Sequence, residues 1–169
     1  TTIIDFITQD KGNSLQAALD LSHQKAENKS FCDYGCHMGI IHWNNKVQDE
    51  MDTMVREGVT SFKMYMAYKN TLQVDDDIIY QGLKKAKQVG GIIGFHCENG
   101  DVITARTREL LARGKTGPYY HQIARPELVE TEAIYRLTQL ARITKTPIWV
   151  VHLSTAGGLA ILHAMRHKG

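Results

Sequence analysis

The chain has 169 residues, of which 43% are hydrophobic, 22% charged and only 3 are Pro, so it can bury a real core and is neither disordered nor low in complexity. A net charge of +2 gives no global pull toward nucleic acid or an anionic membrane, and no apolar run approaches the roughly 18–20 residues of a membrane span. Cys32, Cys36 and Cys97 cannot all pair, which fits a reducing, cytoplasmic setting better than a disulfide framework.

The first residues, Thr1-Thr2-Ile3-Ile4-Asp5-Phe6, already read as a strand, so the chain reads as beginning inside a fold. In order, strands are expected at 2–6, 31–41, 59–66, 91–97 and 147–153. Runs such as Ile148-Trp149-Val150-Val151 are nearly continuous in apolar residues, as in parallel strands covered on both faces. Amphipathic helices are expected at 14–28, 47–57, 75–89, 102–113, 127–145 and 156–167. Gly58 and Gly90-Gly91 punctuate helix ends. Asp75-Asp76-Asp77 puts negative charge at a helix start, and Ser154 or Thr155 can cap the final helix.

One central residue per strand, Ile4, Cys36, Lys63, Phe95 and Val150, gives gaps of 32, 27, 32 and 55 residues. The first three fit a βαβ repeat of about 30 residues. The last holds two helices, an ordinary repeat with one inserted. The class is α/β, either a doubly wound sheet or part of a (β/α)₈ barrel, and periodicity does not separate them.

Both architectures place active sites at the C-terminal ends of strands. Lys63 lies inside the apolar strand Phe62-Lys63-Met64-Tyr65-Met66. Either it reaches the strand end to pair with a carboxylate, or it carries chemistry. Two nearby cations would depress its pKa, and a neutral amine can take up CO₂ to form a carbamate, an anionic oxygen ligand. His96 and His152 end the next two strands. A lone strand-end His is commonly structural, whereas two of them beside a buried Lys could converge on one ion.

Phe62-Lys63-Met64-Tyr65-Met66-Ala67-Tyr68-Lys69, His96-Cys97-Glu98-Asn99-Gly100-Asp101 and Val151-His152-Leu153-Ser154 resemble the dihydropyrimidinase/D-hydantoinase branch of the amidohydrolase superfamily. Cys32-Asp33-Tyr34, Thr116-Gly117-Pro118 and Arg125-Pro126-Glu127 fit the same branch in order, so the similarity covers essentially the whole chain. The resemblance implies a (β/α)₈ barrel whose binuclear centre, usually zinc, is bridged by a carboxylated lysine at Lys63. It makes His96 and His152 ligands of the second metal. It makes Tyr68 the tyrosine that binds substrate and the developing oxyanion. It implies hydrolysis of 5,6-dihydropyrimidines or 5-substituted hydantoins to N-carbamoyl amino acids, by a homotetramer when full length.

The family's His-x-His pair has no counterpart in these 169 residues, nor has its acid/base aspartate on the last strand. A barrel needs about 250 residues. Residues 1–169 are therefore expected to be an incomplete barrel, strands two to six, inactive by itself. Allantoinase- or dihydroorotase-like enzymes are alternatives, as is a non-catalytic dihydropyrimidinase-related scaffold.

Cys32-x-x-x-Cys36-His37 is expected to pack rather than bind metal, with His37 on the opposite face and available behind the ligands. Cys97 is expected to be buried and inert, Gly157-Gly158 a close-packing site, and Lys84-Lys85-Ala86-Lys87 a solvated helix face.

Overall fold

The computed structural model describes residues 1–166, so the expected helix end at His167 lies outside the described residues. Five strands form one sheet: β1 (Thr2–Thr8), β2 (Asp33–Gly39), β3 (Ser61–Tyr65), β4 (Ile92–His96) and β5 (Ile148–Val150). Seven helices alternate with them: α1 (Leu15–Ala26), α2 (Asn45–Arg56), α3 (Asp76–Val89), α4 (Gly100–Ala112), α5 (Tyr119–Ala124), α6 (Glu127–Thr144) and α7 (Ala156–Arg166). Every neighbouring strand pair is parallel, and the spatial order is β1-β2-β3-β4-β5. A doubly wound sheet reverses its order at a switch point. Here the order never reverses, so successive right-handed crossovers put the helices on one side, as in a barrel wall. The fold is a partial (β/α)₈-type barrel.

Local chemistry sets the boundaries. The Ser14 hydroxyl accepts from the Ala17 amide at 3.0 Å, and Asn44 and Asn99 cap α2 and α4 in the same way. Gly58 and Gly90 follow helices with φ of 90° and 72°, a region costly for side-chain-bearing residues. Of the two candidate caps for α7, Thr155 serves, its hydroxyl accepting from the Gly158 amide at 3.1 Å.

Three expectations need correction. The 55-residue crossover holds three helices, because the six-residue α5 is too short to show a period. The last strand is only Ile148–Val150; the Val151 amide still donates to Phe95, but a left-handed turn at His152 then ends the pairing. Lys85 is not simply solvated: it lies half-buried against Asp52 of α2, while Lys87 reaches the Thr144 carbonyl across to α6.

The core fills the space between the sheet and its helices. Met38, Phe62, Met64, Ile93 and Phe95 point outward from β2, β3 and β4 and are fully buried against Met51, Met54, Ile79, Leu83, Ile134 and Leu137. Burying one such large side chain stabilises by roughly 2–3 kcal/mol. Only this face is packed under helices. On the other face of the edge strand β1, Phe6 stays 39% exposed, so coverage of both faces does not hold there.

That second face corresponds to a barrel interior. Paired residues of a parallel ladder point the same way. The register sets Gly39 beside Lys63, Lys63 beside Gly94, and Gly94 beside Trp149. A Cβ at Gly94 would collide with the Trp149 indole, so glycine there lets the ring lie flat on the strand. Gly→Ala in a strand normally gains about 0.5–1 kcal/mol. The sign should invert for Gly94→Ala, which is expected to cost roughly 1–3 kcal/mol in urea unfolding followed by tryptophan fluorescence. A more stable alanine variant would show that the indole is free to move.

Candidate active site

Lys63 sits mid-strand on the interior face and is 3% exposed. Its Nζ lies 4.4 Å from the Tyr65 ring centroid and 5.4 Å from that of Phe6. Aromatic faces attract a cation, but far less than a carboxylate would. Among the described residues Lys63 forms no ion pair. Burial pushes its amine down to about 8, against an opposing pull from the Cys97 sulfur.

One layer above, the register pairs Tyr65 with His96 at the end of β4. His96 Nδ1 faces His152 Nε2 at 3.1 Å, with ring centroids 4.8 Å apart. His152 is not the last residue of its strand, as expected, but lies two residues beyond it with φ 45°. The Ser154 hydroxyl donates to its carbonyl at 2.7 Å, and the buried Glu130 carboxylate accepts the Ser154 amide at 3.0 Å. These bonds fix the turn that swings the imidazole over the sheet. Burial, then the charges of His96 and Lys63, hold the His152 imidazole below its ordinary range. The neutral form is the one that binds metals.

Tyr68 follows β3 in a left-handed conformation, φ 69°, unusual for a bulky residue. Its carbonyl accepts from the amides of Thr71, Leu72 and Gln73 at 3.0–3.2 Å and from the Thr71 hydroxyl at 2.8 Å. That turn lays the ring against His96, 4.8 Å between centroids, and leaves it 39% exposed. His96, His152 and Tyr68 are thus gathered at the C-terminal ends of the strands, with Lys63 one layer below on the same face.

Two participants were invisible as isolated residues. Glu98 Oε2 accepts from His96 Nε2 at 2.7 Å and from Arg125. The Arg125 guanidinium also lies 5.4 Å over the Tyr68 ring. Burial alone would raise the Glu98 carboxyl, but the His96 hydrogen bond and the Arg125 charge outweigh it and hold the group below its ordinary value. An acidic residue two positions after a strand-end His was the available signal for Glu98. For Arg125, 27 residues further on, there was none beyond family resemblance.

The other candidates resolve plainly. Cys32 precedes β2, Cys36 packs against the core, and His37 turns inward to Ser61, 2.6 Å from its hydroxyl, with Trp149 alongside. Cys97 is buried and its thiol is pushed up to about 12, chiefly by burial, which fits an inert group. A Cβ at Gly158 would meet Ile134 at 2.7 Å, so Gly157-Gly158 is a close contact with α6.

The chain is similar to known proteins over its whole length. The chain is 42% identical over its whole length to a D-hydantoinase of Streptomyces coelicolor, of which it covers 36%. It is 39% identical to the dihydropyrimidinase-related protein 5 of Homo sapiens, of which it covers 30%. It superposes with a TM-score of 0.98 on the crystal structure of the dihydropyrimidinase from Brevibacillus agri, at 39% identity, covering all of this chain and 37% of that one. The chain belongs to the dihydropyrimidinase/D-hydantoinase family. It spans about a third of the length of the curated relatives it matches. No family model matches it.

A divalent cation fits the donors present. Two imidazole nitrogens converge at 3.1 Å, and the other ring nitrogen of His96 faces the Glu98 carboxylate at 2.7 Å. Among the described residues no group of three or more His, Cys, Asp or Glu side chains is placed to hold an ion. A buried amine without a carboxylate partner is a cost carried by the fold. Lys63→Met, close in volume and uncharged, is expected to raise stability in metal-free urea unfolding at neutral pH by about 2 kcal/mol. A methionine variant less stable than the parent would mean that the amine has a stabilising partner.

Proposed function

We propose that the protein carrying this chain hydrolyses cyclic amides, 5,6-dihydropyrimidines or 5-substituted hydantoins, to N-carbamoyl amino acids. The observation that carries this reading is the convergence of His96 Nδ1 and His152 Nε2 beside the buried, unpaired Lys63. The whole-length similarity to a D-hydantoinase supports it.

In this reading His96 and His152 would hold a divalent ion, most naturally zinc, and Lys63 in its N6-carboxylated form would offer oxygen donors to the binuclear centre. Such ions polarise a carbonyl and acidify bound water. The chain's own residues do the rest of the local work. Burial keeps part of the Lys63 amine neutral near pH 8, the form that attacks CO₂. The attack forms the N–C bond and releases one amine proton to solvent, so an anionic carbamate with two oxygen donors replaces the unpaired amine.

Tyr68 acts on the substrate. Its ring lies against His96, so its hydroxyl is offered beside the metal position, where it donates to the amide oxygen as negative charge develops there. The rigid turn beneath it holds that donor in place, so little reorganisation accompanies the reaction. Tyr65 supplies an aromatic face beside both the Lys63 amine and the Tyr68 ring.

Residues outside this chain would supply the remaining metal ligands and the proton-transferring carboxylate, so activity is assigned to the assembled protein. Among the described residues no helix is long and apolar enough to cross a membrane. A homotetramer and a cytoplasmic location belong to the same proposal.

Ring opening of dihydrouracil and hydantoin, followed by loss of ultraviolet absorbance, tests the activity. Lys63→Ala should lose nearly all turnover and bound metal, and a short carboxylic acid should restore part of both. An alanine variant that keeps two metals and full activity ends the carbamate reading. Tyr68→Phe should lower kcat about 10²–10³-fold with the metals retained. An unchanged kcat would remove Tyr68 from oxyanion stabilisation. Turnover of allantoin or dihydroorotate instead would move the substrate within the cyclic amidohydrolases. Activity toward none of these would favour a scaffold.

A further inference from the structure

Glu98, two residues past the end of β4, is oriented by two donors. Its Oε2 takes the Arg125 guanidinium on one side and His96 Nε2, at 2.7 Å, on the other. Arg125 comes from the turn between α5 and α6, so this contact joins two distant parts of the chain. An ion-paired carboxylate carries no hydrogen and can only accept. His96 Nε2 must then hold the ring hydrogen, since two lone pairs at 2.7 Å would repel. The neutral ring is left with its lone pair on Nδ1, the nitrogen that faces His152 Nε2.

We propose that Glu98, braced by Arg125, is the positioning residue that fixes the tautomer of His96 and so aims its Nδ1 lone pair at the metal position. The inference rests on the metal reading above. Carboxylates behind a ligating imidazole set ring orientation and raise its basicity, and losing one typically weakens metal binding by 10–100-fold. Arg125 has a second part in the same device: its guanidinium lies over the Tyr68 ring, so one side chain steadies both the metal-side carboxylate and the substrate-side phenol.

Two variants of the purified protein separate positioning from simple structure. Glu98→Ala removes the acceptor. The double variant Glu98→Leu with Arg125→Leu replaces the ion pair as a unit, which keeps the packing and avoids a lone buried cation. Zinc affinity is read by competition with a chromophoric chelator. The His96 tautomer is read in metal-free, ¹⁵N-histidine-labelled protein by long-range ¹H–¹⁵N spectra, with His96→Asn identifying its signals. The wild type is expected to bind zinc and to show His96 in the Nε2–H form. Both variants are expected to bind zinc 10–100-fold more weakly and to populate the Nδ1–H form, with the double variant melting near the wild type. If Glu98→Ala does not fold, the double variant carries the test.

Wild-type affinity together with a retained Nε2–H tautomer in a folded variant overturns the inference. A wild type that takes up no zinc instead overturns the metal reading. In that case the tautomer spectra alone still decide whether Glu98 sets His96.

Discussion

The organising constraint is the part of one register row that runs from β2 to β5: Gly39, Lys63, Gly94 and Trp149. An amine sits in the middle of an apolar strand, and the glycines on either side leave room for Thr8 and for the Trp149 indole. Parallel pairing turns all four toward the interior face, while Phe62, Met64, Ile93 and Phe95 turn outward under the helices. A slip of one residue would send Lys63 into the core and expose Phe62 and Met64, at a cost of several kcal/mol. The hydrophobic packing outside the sheet thereby fixes the chemistry inside it. Stability and function use opposite faces of the same five residues of β3.

From this row the site builds upward. Tyr65 and His96 are one layer higher, paired in register at the ends of β3 and β4. Past them the backbone leaves the strands by left-handed residues, Tyr68 at φ 69° and His152 at φ 45°. Strain of this kind costs about 1–3 kcal/mol per residue and persists where surrounding bonds over-determine it. Here they do: four donors converge on the Tyr68 carbonyl, and Glu130 with Ser154 ties the turn at His152. Both strained residues bring a side chain against His96.

This division explains what was legible in the sequence. Strand and helix identities follow from apolar periodicity, because the outward core demands it. Lys63 stood out because a charge interrupted that pattern, and His96 because it ended it. The choice between a doubly wound sheet and a barrel wall was not legible, since strand order depends on crossover geometry and not on any local period. The reach of β5 was misjudged for a related reason: Val151-His152-Leu153 has strand-like composition, but tertiary bonds through Glu130 turn it early. Helix α5 escaped because six residues are too few to repeat.

The Glu98–Arg125 pair marks the deeper limit of local reading. A ligand type can be guessed from residue identity, but its protonation pattern is set by what stands behind it. For His96 that partner is two residues away in sequence and in hydrogen-bond contact, whereas the group that keeps the partner ionised arrives from beyond two helices. The inserted α4 and α5 thus do more than lengthen the crossover: they deliver Arg125 to the strand ends. A chain with an ordinary single-helix crossover at this point would keep Lys63, His96 and His152 in register. It would also leave Glu98 without the guanidinium charge, with the His96 hydrogen bond as the main influence still opposing its burial. The extra helices are therefore part of the site's electrostatics.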